Sequence, residues 1–390
     1  MSKIVIFRNT RKDFVFTAEY IQVIVEELVK RGHSVTAYDP KRRRVMEFSS
    51  RKCKTILPLP KKLEVPIIYI PLNFIALIIF AIKNNRKYDF ATFMYCRLEY
   101  IILARLLFKI AKVNYIIIFG NIFRRAIKLI KFFSFFFKKS NLILVNSEEH
   151  RSNFVKFMEA HLHFNFNDKT KDFPLYIPSI DKLKIISEKQ IKEAYKKYNI
   201  PEYNKIIFLG TNASANEQHL KIIDSLEQLE QKGSINTSEI ILIFPLTYSE
   251  SRNYDQDKSR IITYAKQKLK DYKCIFLTTY LPAEEYLALL KGSDIFVNMR
   301  KSDQLAASMI EALYTGRIVI TGKWLPYSSF IAKNKLKIAE INDVSELSYE
   351  LQEILNNFEK NKICFKQNTN KITNIFNNKN LINQYCEIYE

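Results

Sequence analysis

The order of apolar and polar positions divides the chain into two successive series in which short apolar strands alternate with amphipathic helices. In the first series, the pattern predicts strands over Lys3–Phe7, Ser34–Tyr38, Pro66–Ile70, Ala91–Tyr95, Tyr115–Phe119 and Leu142–Val145. Helices are predicted over Thr17–Arg31, Phe74–Lys83, Tyr100–Ala111, Phe123–Lys139 and Ser147–Met158. The basic segment Lys41–Lys54 is predicted to be a loop. This alternation is typical of a parallel sheet with helices on both faces.

A second series begins at Lys205, after a polar segment over about 162–197 that we interpret as the connection between two domains. Its strands are predicted over Lys205–Leu209, Ile240–Phe244, Cys274–Leu277, Asp294–Asn298 and Ile318–Thr321. Its helices are predicted over Gln218–Gln231, Lys258–Lys270 and Ala283–Lys291, and the chain after Ser345 is predicted to be helical. We therefore predict an α/β protein with two doubly wound, Rossmann-like domains, residues 1–185 and 186–378.

The segment Asp303–Thr321, DQLAASMIEALYTGRIVIT, carries the most specific chemistry in the second series. Its two acids, Asp303 and Glu311, are eight residues apart. The pattern predicts a loop, a short helix over Ala306–Tyr314, a helix stop at Gly316 and then a buried strand. One interpretation makes Asp303 an acid near the N-cap and Glu311 a solvated helix residue. The other makes both acids parts of a binding site.

With its acids in this order, the segment resembles the nucleotide-sugar half of GT-B glycosyltransferases, in the large retaining group with an E-x7-E motif. The first acid is Asp303 where that group has Glu, and the Gly and Pro usual between the acids are missing. Cys274–Asn298 is similar to the segment that precedes the motif. FLGTNASANEQHL is similar to the Gly-Asn-Ser loop of bacterial transferases that add 4-acetamido-4,6-dideoxygalactose to the lipid-linked intermediate of enterobacterial common antigen. The resemblance implies a cleft between the domains and a last helix, residues 379–390, that crosses back to the first domain.

The resemblance also implies that the second domain binds a nucleotide-diphosphate sugar, such as a UDP-sugar, and that no other cofactor is required. A carboxylate such as that of Glu311 can accept both hydroxyls of a ribose diol. Asp303 would face the hydroxyls of the transferred sugar. The start of the helix at Ala306 offers free N–H groups and a positive dipole end to the pyrophosphate. The other residues that we assign to the donor are Gly210, Thr211, Asn212, Tyr280, Arg300, Lys301 and Leu305.

Candidate catalytic residues of the first domain follow predicted strands. Asp13 lies in the first strand–helix loop, and Arg97 and Glu99 come just after Ala91–Tyr95. The absence of a G-x-G-x-x-G motif and of a P-loop excludes NAD oxidoreductases and P-loop kinases. His161 and His163 have no Cys or acid cluster near them in the sequence, so no metal site is predicted.

Positive charge is concentrated in the first half of the chain. The net charge is +21, and residues 1–172 hold 32 basic and 14 acidic residues. On a helix over Phe123–Lys139, the basic residues fall near one stripe and phenylalanines crowd the rest of the surface. This pattern is typical of a helix at a lipid interface, although a buried helix with a basic edge fits as well. Five scattered cysteines and no visible signal peptide fit a reducing compartment. We expect a cytoplasmic protein on the anionic inner face of the plasma membrane, with no nucleic-acid partner.

The sequence thus favours a hexosyltransferase that acts on a glycan or lipid-linked acceptor in the synthesis of bacterial surface polysaccharides or glycoconjugates. The acid pair favours retention of configuration, and inversion stays open. One alternative is a sugar-nucleotide epimerase of the same fold. Another is a basic protein without catalysis that binds membranes or nucleic acid.

Overall fold

The computed structural model describes residues 1–8, 19–40, 42–48, 50, 52–56, 66–94, 112–116, 131, 134–145, 147–172, 177–201, 205–233, 235–249, 254–303 and 305–390. The chain forms two compact units. The first consists of Met1–Tyr176 with Asn378–Glu390, and the second of Ile177–Asn377. Each unit is built on its own sheet, so the prediction of two Rossmann-like α/β domains is confirmed.

The first unit has a mainly parallel sheet. Its strands are β1 (Lys3–Arg8), β2 (Ser34–Asp39), β3 (Arg44–Glu47), β4 (Lys52–Thr55), β5 (Phe90–Met94), β6 (Lys112–Ile116), β7 (Leu142–Val145) and β8 (Thr170–Asp172). Their order across the sheet is β4-β3-β2-β1-β5-β6-β7-β8. β3 pairs antiparallel with both β2 and β4, and the other neighbours pair parallel. The prediction of a loop over Lys41–Lys54 is therefore wrong, because this segment adds two strands to the sheet.

The described helices of the first unit are α1 (Glu19–Lys30), α2 (Pro66–Asn84), α3 (Ser134–Lys138) and α4 (Glu148–Leu162). The predicted strand Pro66–Ile70 is wrong, because these residues are the first turns of α2. A proline is tolerated at the first position of a helix, and a short apolar run does not distinguish a strand from a buried helix. No described helix is long and apolar enough to cross a membrane.

Two predicted helices of the first unit fall mostly outside the described residues. Tyr100–Ala111 lies outside them entirely, and of Phe123–Lys139 the structure describes only Lys131 and residues 134–139. The predicted strand Tyr115–Phe119 starts earlier than expected, as β6.

The first sheet is buried on both faces. Along β1, Val5 and Phe7 join one hydrophobic core, while Ile4 and Ile6 join another. Successive side chains of a strand point to opposite faces, so a strand that is buried on both faces needs an uninterrupted apolar run. The four residues from Ile4 to Phe7 form such a run.

The second unit has a sheet of β9 (Lys205–Leu209), β10 (Ile240–Pro245), β11 (Lys273–Leu277), β12 (Ile295–Asn298), β13 (Ile318–Gly322) and β14 (Ala339–Ile341). All neighbours pair parallel, in the order β11-β10-β9-β12-β13-β14. This is the strand order of a dinucleotide-binding Rossmann fold. The chain runs outward in one direction from β9 to β11 and in the other from β12 to β14, so the topological switch point lies between β9 and β12.

The helices of the second unit surround this sheet. They are α5 (Pro178–Ile185), α6 (Glu188–Lys197), α7 (His219–Gln231), α8 (Tyr254–Lys268), α9 (Ala283–Gly292), α10 (Ala307–Tyr314), α11 (Ser328–Lys333), α12 (Leu347–Asn356), α13 (Phe358–Lys366) and α14 (Asn368–Ile375). The segment interpreted as a connection thus contains β8, α5 and α6, and α5 and α6 belong to the second unit.

The end of the chain returns to the first unit, as expected. The last helix, α15 (Asn378–Cys386), packs on α1, and Tyr389 follows it in a short 3-10 turn. Tyr389 is buried, and its Oη lies 2.7 Å from Thr92 Oγ1 on β5. Arg31 Nη1 donates to Glu390 Oε1 at 3.0 Å. These contacts fix the terminal segment against the sheet of the first unit.

Candidate functional site

Two loops of the second unit meet at its topological switch point. One follows β9 and runs from Gly210 to Gln218, and the other follows β12 and runs from Met299 to Ala306. The carboxyl ends of adjacent parallel strands share one edge of the sheet, which is where ligands bind in folds of this type. Hydrogen bonds join the loops: Lys301 N donates to Asn216 O at 2.8 Å, and Gln218 Nε2 donates to Met299 O at 2.6 Å.

Glu217 is the buried centre of this arrangement, with none of its surface exposed. Its Oε1 accepts from Thr211 Oγ1 at 2.7 Å and from Asn212 Nδ2 at 3.1 Å. The same oxygen accepts from Arg300 Nε at 3.0 Å and from Arg300 Nη2 at 2.8 Å. Glu217 therefore binds the first loop to the second through one carboxylate oxygen.

Gly210 is required directly above this carboxylate. Its φ of +68° lies in the left-handed region, and a Cβ there would come within 2.8 Å of Glu217 Oε2. Oε2 itself has no hydrogen-bond partner among the described residues.

His219 lies under the same turn, where burial lowers its pKa, so the ring is neutral. Its Nε2 lies 2.7 Å from Asn212 O and must donate, because a carbonyl oxygen only accepts.

Arg300 lies between two carboxylates. Besides Glu217, its Nη1 donates to Asp303 Oδ1 at 3.4 Å, and its Nη2 donates to Thr211 Oγ1 at 2.8 Å. Burial alone would lower the pKa of Arg300, but the two carboxylates together raise it above its ordinary value. The guanidinium charge is thus already balanced by the protein, while the neighbouring Lys301 is exposed.

Asp303 is held by Tyr327 as well as by Arg300. The buried Tyr327 donates its Oη to Asp303 Oδ2, and the same Oη accepts from Ala306 N at 3.4 Å. Ala306 is the N-cap of α10 and makes no side-chain cap bond. The structure thus places Ala306 at the N-cap position and directs the Asp303 carboxylate towards Tyr327 and Arg300.

Glu311 lies within α10, and only 7% of its surface is exposed. Its Oε1 accepts a hydrogen bond from Ser179 Oγ on α5. Burial raises the pKa of Glu311, and the Ser179 bond opposes that rise. The alternative in which Glu311 is a solvated helix residue is therefore wrong. A ligand with a hydroxyl group could donate to this buried carboxylate in the same way as Ser179 does.

The segment around α10 has the form that the sequence predicts. The helix starts one residue later than expected and ends at Tyr314, two residues before Gly316, whose φ is +72°. Arg317 N closes the helix by donating to Ala312 O at 3.0 Å, and β13 follows. Before the helix, Leu305 has a φ of +71°, an unfavourable conformation for a branched side chain that often marks functional loops.

Of the remaining predicted residues, the structure describes only Tyr280. Tyr280 belongs to the loop that joins β11 to α9, and its side chain is 77% exposed. Asp13, Arg97 and Glu99 lie outside the described residues. No group of three or more His, Cys, Asp or Glu that could hold a metal occurs within the parts of the chain that the structure describes.

Sequence reasoning missed four residues of the site: Ser179, Glu217, His219 and Tyr327. Only Glu217 could have been suspected as a site residue, and weakly, because it is a single acid in a loop of small and polar residues that follows a buried strand. Ser179 and Tyr327 carried none, since their partners are 132 and 24 residues away in the sequence.

Structural comparison finds proteins of the same architecture. A glycosyltransferase from Rickettsia africae matches with a TM-score of 0.70 and 14% identity, over 100% of this chain and 97% of that one. The sucrose-phosphate synthase of Thermosynechococcus elongatus matches at 0.72 and 13%, over 100% and 98%. Anabaena HepE, in complex with UDP and glucose, matches at 0.69 and 13%, over 100% and 99%. No protein-family model and no curated protein sequence matches the chain. At these identities the likeness establishes the fold, which is the GT-B fold of glycosyltransferases.

We predict that Glu217→Gln destabilises the second unit. The amide keeps the size of the side chain but leaves Arg300, Thr211 and Asn212 without a charged acceptor, which should lower the free energy of unfolding by about 2–4 kcal/mol. Denaturant unfolding measures this loss. The control, Glu193→Gln, changes an exposed acid on α6 and should stay within about 0.5 kcal/mol of the original protein. Equal stabilities for the two variants would contradict the central role of Glu217.

Proposed function

We propose that this protein is a glycosyltransferase that moves a sugar from a nucleotide-diphosphate sugar to a glycan or lipid-linked acceptor. The observation that carries the proposal is the pair of carboxylates, Asp303 and Glu311, held on either side of the start of α10 at the switch point of a GT-B fold. A sugar-nucleotide epimerase is the alternative. The two differ in whether labelled sugar passes to an acceptor or is recovered as an isomer.

In this proposal Glu311 binds the ribose of the donor. A ribose hydroxyl can replace Ser179 Oγ as the group that donates to Glu311 Oε1. The pyrophosphate would lie at the first turn of α10, where N–H groups lack a side-chain cap, and near the exposed ammonium of Lys301. UDP is the first nucleotide to test, because Anabaena HepE binds UDP and UDP-glucose.

Asp303 would act on the transferred sugar. Arg300 and Tyr327 fix its carboxylate, so it can accept hydrogen bonds from sugar hydroxyls without reorganising during the reaction. When the bond between the anomeric carbon and the phosphate oxygen breaks, charge develops on the diphosphate. The dipole of α10 and Lys301 would stabilise that charge. We propose hexosyl transfer with retention, in which the acceptor hydroxyl gives its proton to the departing phosphate.

The acceptor would bind to the first unit. Asp13, Arg97 and Glu99 follow β1 and β5 in the sequence, and these two strands are parallel neighbours in the sheet. Their positions in the sequence support them as catalytic candidates on the acceptor side.

Basic strands of the first unit support a site on anionic lipid at the inner face of the plasma membrane. β4 is the edge strand, and its Lys52 and Lys54 are exposed. Arg43 is unsuited to this role, because it is buried and donates to Asn73 Oδ1 at 2.7 Å. Lysines on an edge strand have a second explanation, because they prevent the sheets of two molecules from pairing edge to edge. Vesicle binding must therefore be measured directly.

We predict that Glu311→Gln weakens UDP binding by about 2–4 kcal/mol, because two charge-assisted hydrogen bonds to the ribose lose their anionic acceptor. Calorimetry measures the affinity. Since burial raises the pKa of Glu311, the original protein should lose affinity on mild acidification at a higher pH than an exposed Glu would produce. Subtracting the pH profile of Glu311→Gln removes the titration of UDP itself. Unchanged affinity in the variant would exclude the ribose contact.

We predict that Asp303→Asn slows sugar transfer by about 100-fold while UDP affinity and stability barely change. Asn keeps the size of Asp and one oxygen for Tyr327, but it lacks the charge. Transfer is measured by incorporation of labelled sugar into acceptor, and UDP affinity by calorimetry. The control, Asp255→Asn, changes an exposed acid at the start of α8. Full activity of Asp303→Asn would mean that the carboxylate only orders the loop.

We predict that the double change Lys52→Glu and Lys54→Glu lowers binding to anionic vesicles at low salt by more than about tenfold, since each basic residue contributes about 1 kcal/mol near such a surface. Vesicle sedimentation measures the bound fraction, and added salt should weaken it. Lys232→Glu with Lys270→Glu makes the same charge change on exposed positions of the second unit. Equal losses in both pairs would indicate a general charge effect and contradict a docking face on β4.

A further inference from the structure

A second concave site lies at the amino ends of the strands in the second unit, at the side of the sheet opposite to the loops described above. Its volume is about 510 Å³. Its floor is formed where β9, β12 and β13 begin, by Lys205, Asp294 and Arg317. Residues of α6, α9 and α13 form its walls. This volume is within the range of small-molecule sites in proteins.

Arg317 brings to the cavity a positive charge that is held mainly by backbone carbonyl groups. Its Nη1 donates to Ser293 O at 2.6 Å, and its Nε and Nη2 donate to Thr315 O at 3.0 and 2.8 Å. Within the described chain, no carboxylate comes within ion-pair distance of it. Burial lowers the pKa of Arg317, and the charges of Asp294 and Glu188 oppose this without forming an ion pair with it. Three of the five N–H groups of the guanidinium are used, so two remain to bind a ligand.

Lys291 adds a second cation that is held by neutral groups. Its Nζ donates to Leu183 O at 3.1 Å and to Ile186 O at 2.7 Å. These carbonyls fix the position of the ammonium without cancelling its charge. Two partly buried cations held in this way favour an anion in the cavity.

Phe358 provides an apolar surface between two further cations. The ammonium groups of Lys205 and Lys362 each lie 5.5 Å from the centre of its ring. Lys362 also contacts Asp294 Oδ1 at 3.5 Å, and the other two acids of the lining, Glu188 and Glu359, are exposed at its rim. The cavity is lined by five basic and three acidic residues, so its net charge is positive.

We propose that this cavity binds a small organic phosphate, with the phosphate near Arg317 and Lys291 and the organic ring against Phe358. The site is distinct from the donor site, because the two lie at opposite ends of β9 and β12. A strand of four or five residues separates them by roughly 15 Å. This assignment does not depend on the proposed transfer activity.

The experiment compares AMP, inorganic phosphate and adenosine by calorimetry on the full chain. AMP and phosphate should bind saturably in the micromolar to millimolar range, and adenosine should bind much more weakly. The double change Lys205→Gln and Lys362→Gln should weaken AMP binding about tenfold or more, since it removes two cations beside the ring. Both side chains lie at the surface of the cavity, so the fold should survive, which a thermal melt checks.

Two matched controls decide where the phosphate binds. Lys360→Gln changes an exposed lysine on the same helix, α13, outside the cavity, and should leave AMP affinity unchanged. Lys301→Gln lies at the donor edge and should also leave it unchanged. Absence of saturable binding, equal binding of adenosine and AMP, or an equal loss in Lys360→Gln would overturn the proposal. Loss in Lys301→Gln, with none in the double variant, would assign the phosphate to the donor site and overturn it too.

Discussion

The buried carboxylate of Glu217 is the interaction on which the arrangement of the two loops after β9 and β12 depends. A charge without solvent contact costs several kcal/mol unless the protein supplies charged or polar partners. Here the partners come from two separate loops, Thr211 and Asn212 after β9 and Arg300 after β12. Oε1 of this carboxylate has all its donors only when both loops are in place, so the charge selects one relative arrangement of the loops. Gly210 makes this possible because only a residue without Cβ fits over Oε2.

The parallel sheet explains why these loops meet at all. In a doubly wound sheet, the connections on either side of the switch point lead away in opposite directions and leave a crevice there. β9 and β12 are adjacent although β10 and β11 lie between them in the sequence, and 85 residues lie between Leu209 and Ile295. The apolar strands therefore determine where a site forms, and the polar residues that follow them determine its chemistry.

Much of this could be predicted from the sequence, and the failures have physical reasons. β9 and β7 match their predicted bounds, because an apolar run between polar residues has only one way to be buried in a sheet. Pro66–Ile70 was misassigned because an apolar run with a leading proline suits the start of a helix equally well. The acids Asp303 and Glu311 were found from their spacing. Their partners Tyr327 and Ser179 were not, because distant contacts leave no local pattern.

Under the proposed function, the charge balance of these two loops constrains how they would bind a diphosphate. Arg300 faces the carboxylates of Glu217 and Asp303, so these three side chains carry a net negative charge if all are ionised. Such a cluster attracts sugar hydroxyls and repels phosphate. A pyrophosphate must then be bound by groups outside it, namely backbone N–H groups at the start of α10 and Lys301. In the proposed donor complex, the sugar and the phosphate would therefore lie on different sides of the second loop, which would place the scissile bond between a fixed carboxylate and a helix dipole.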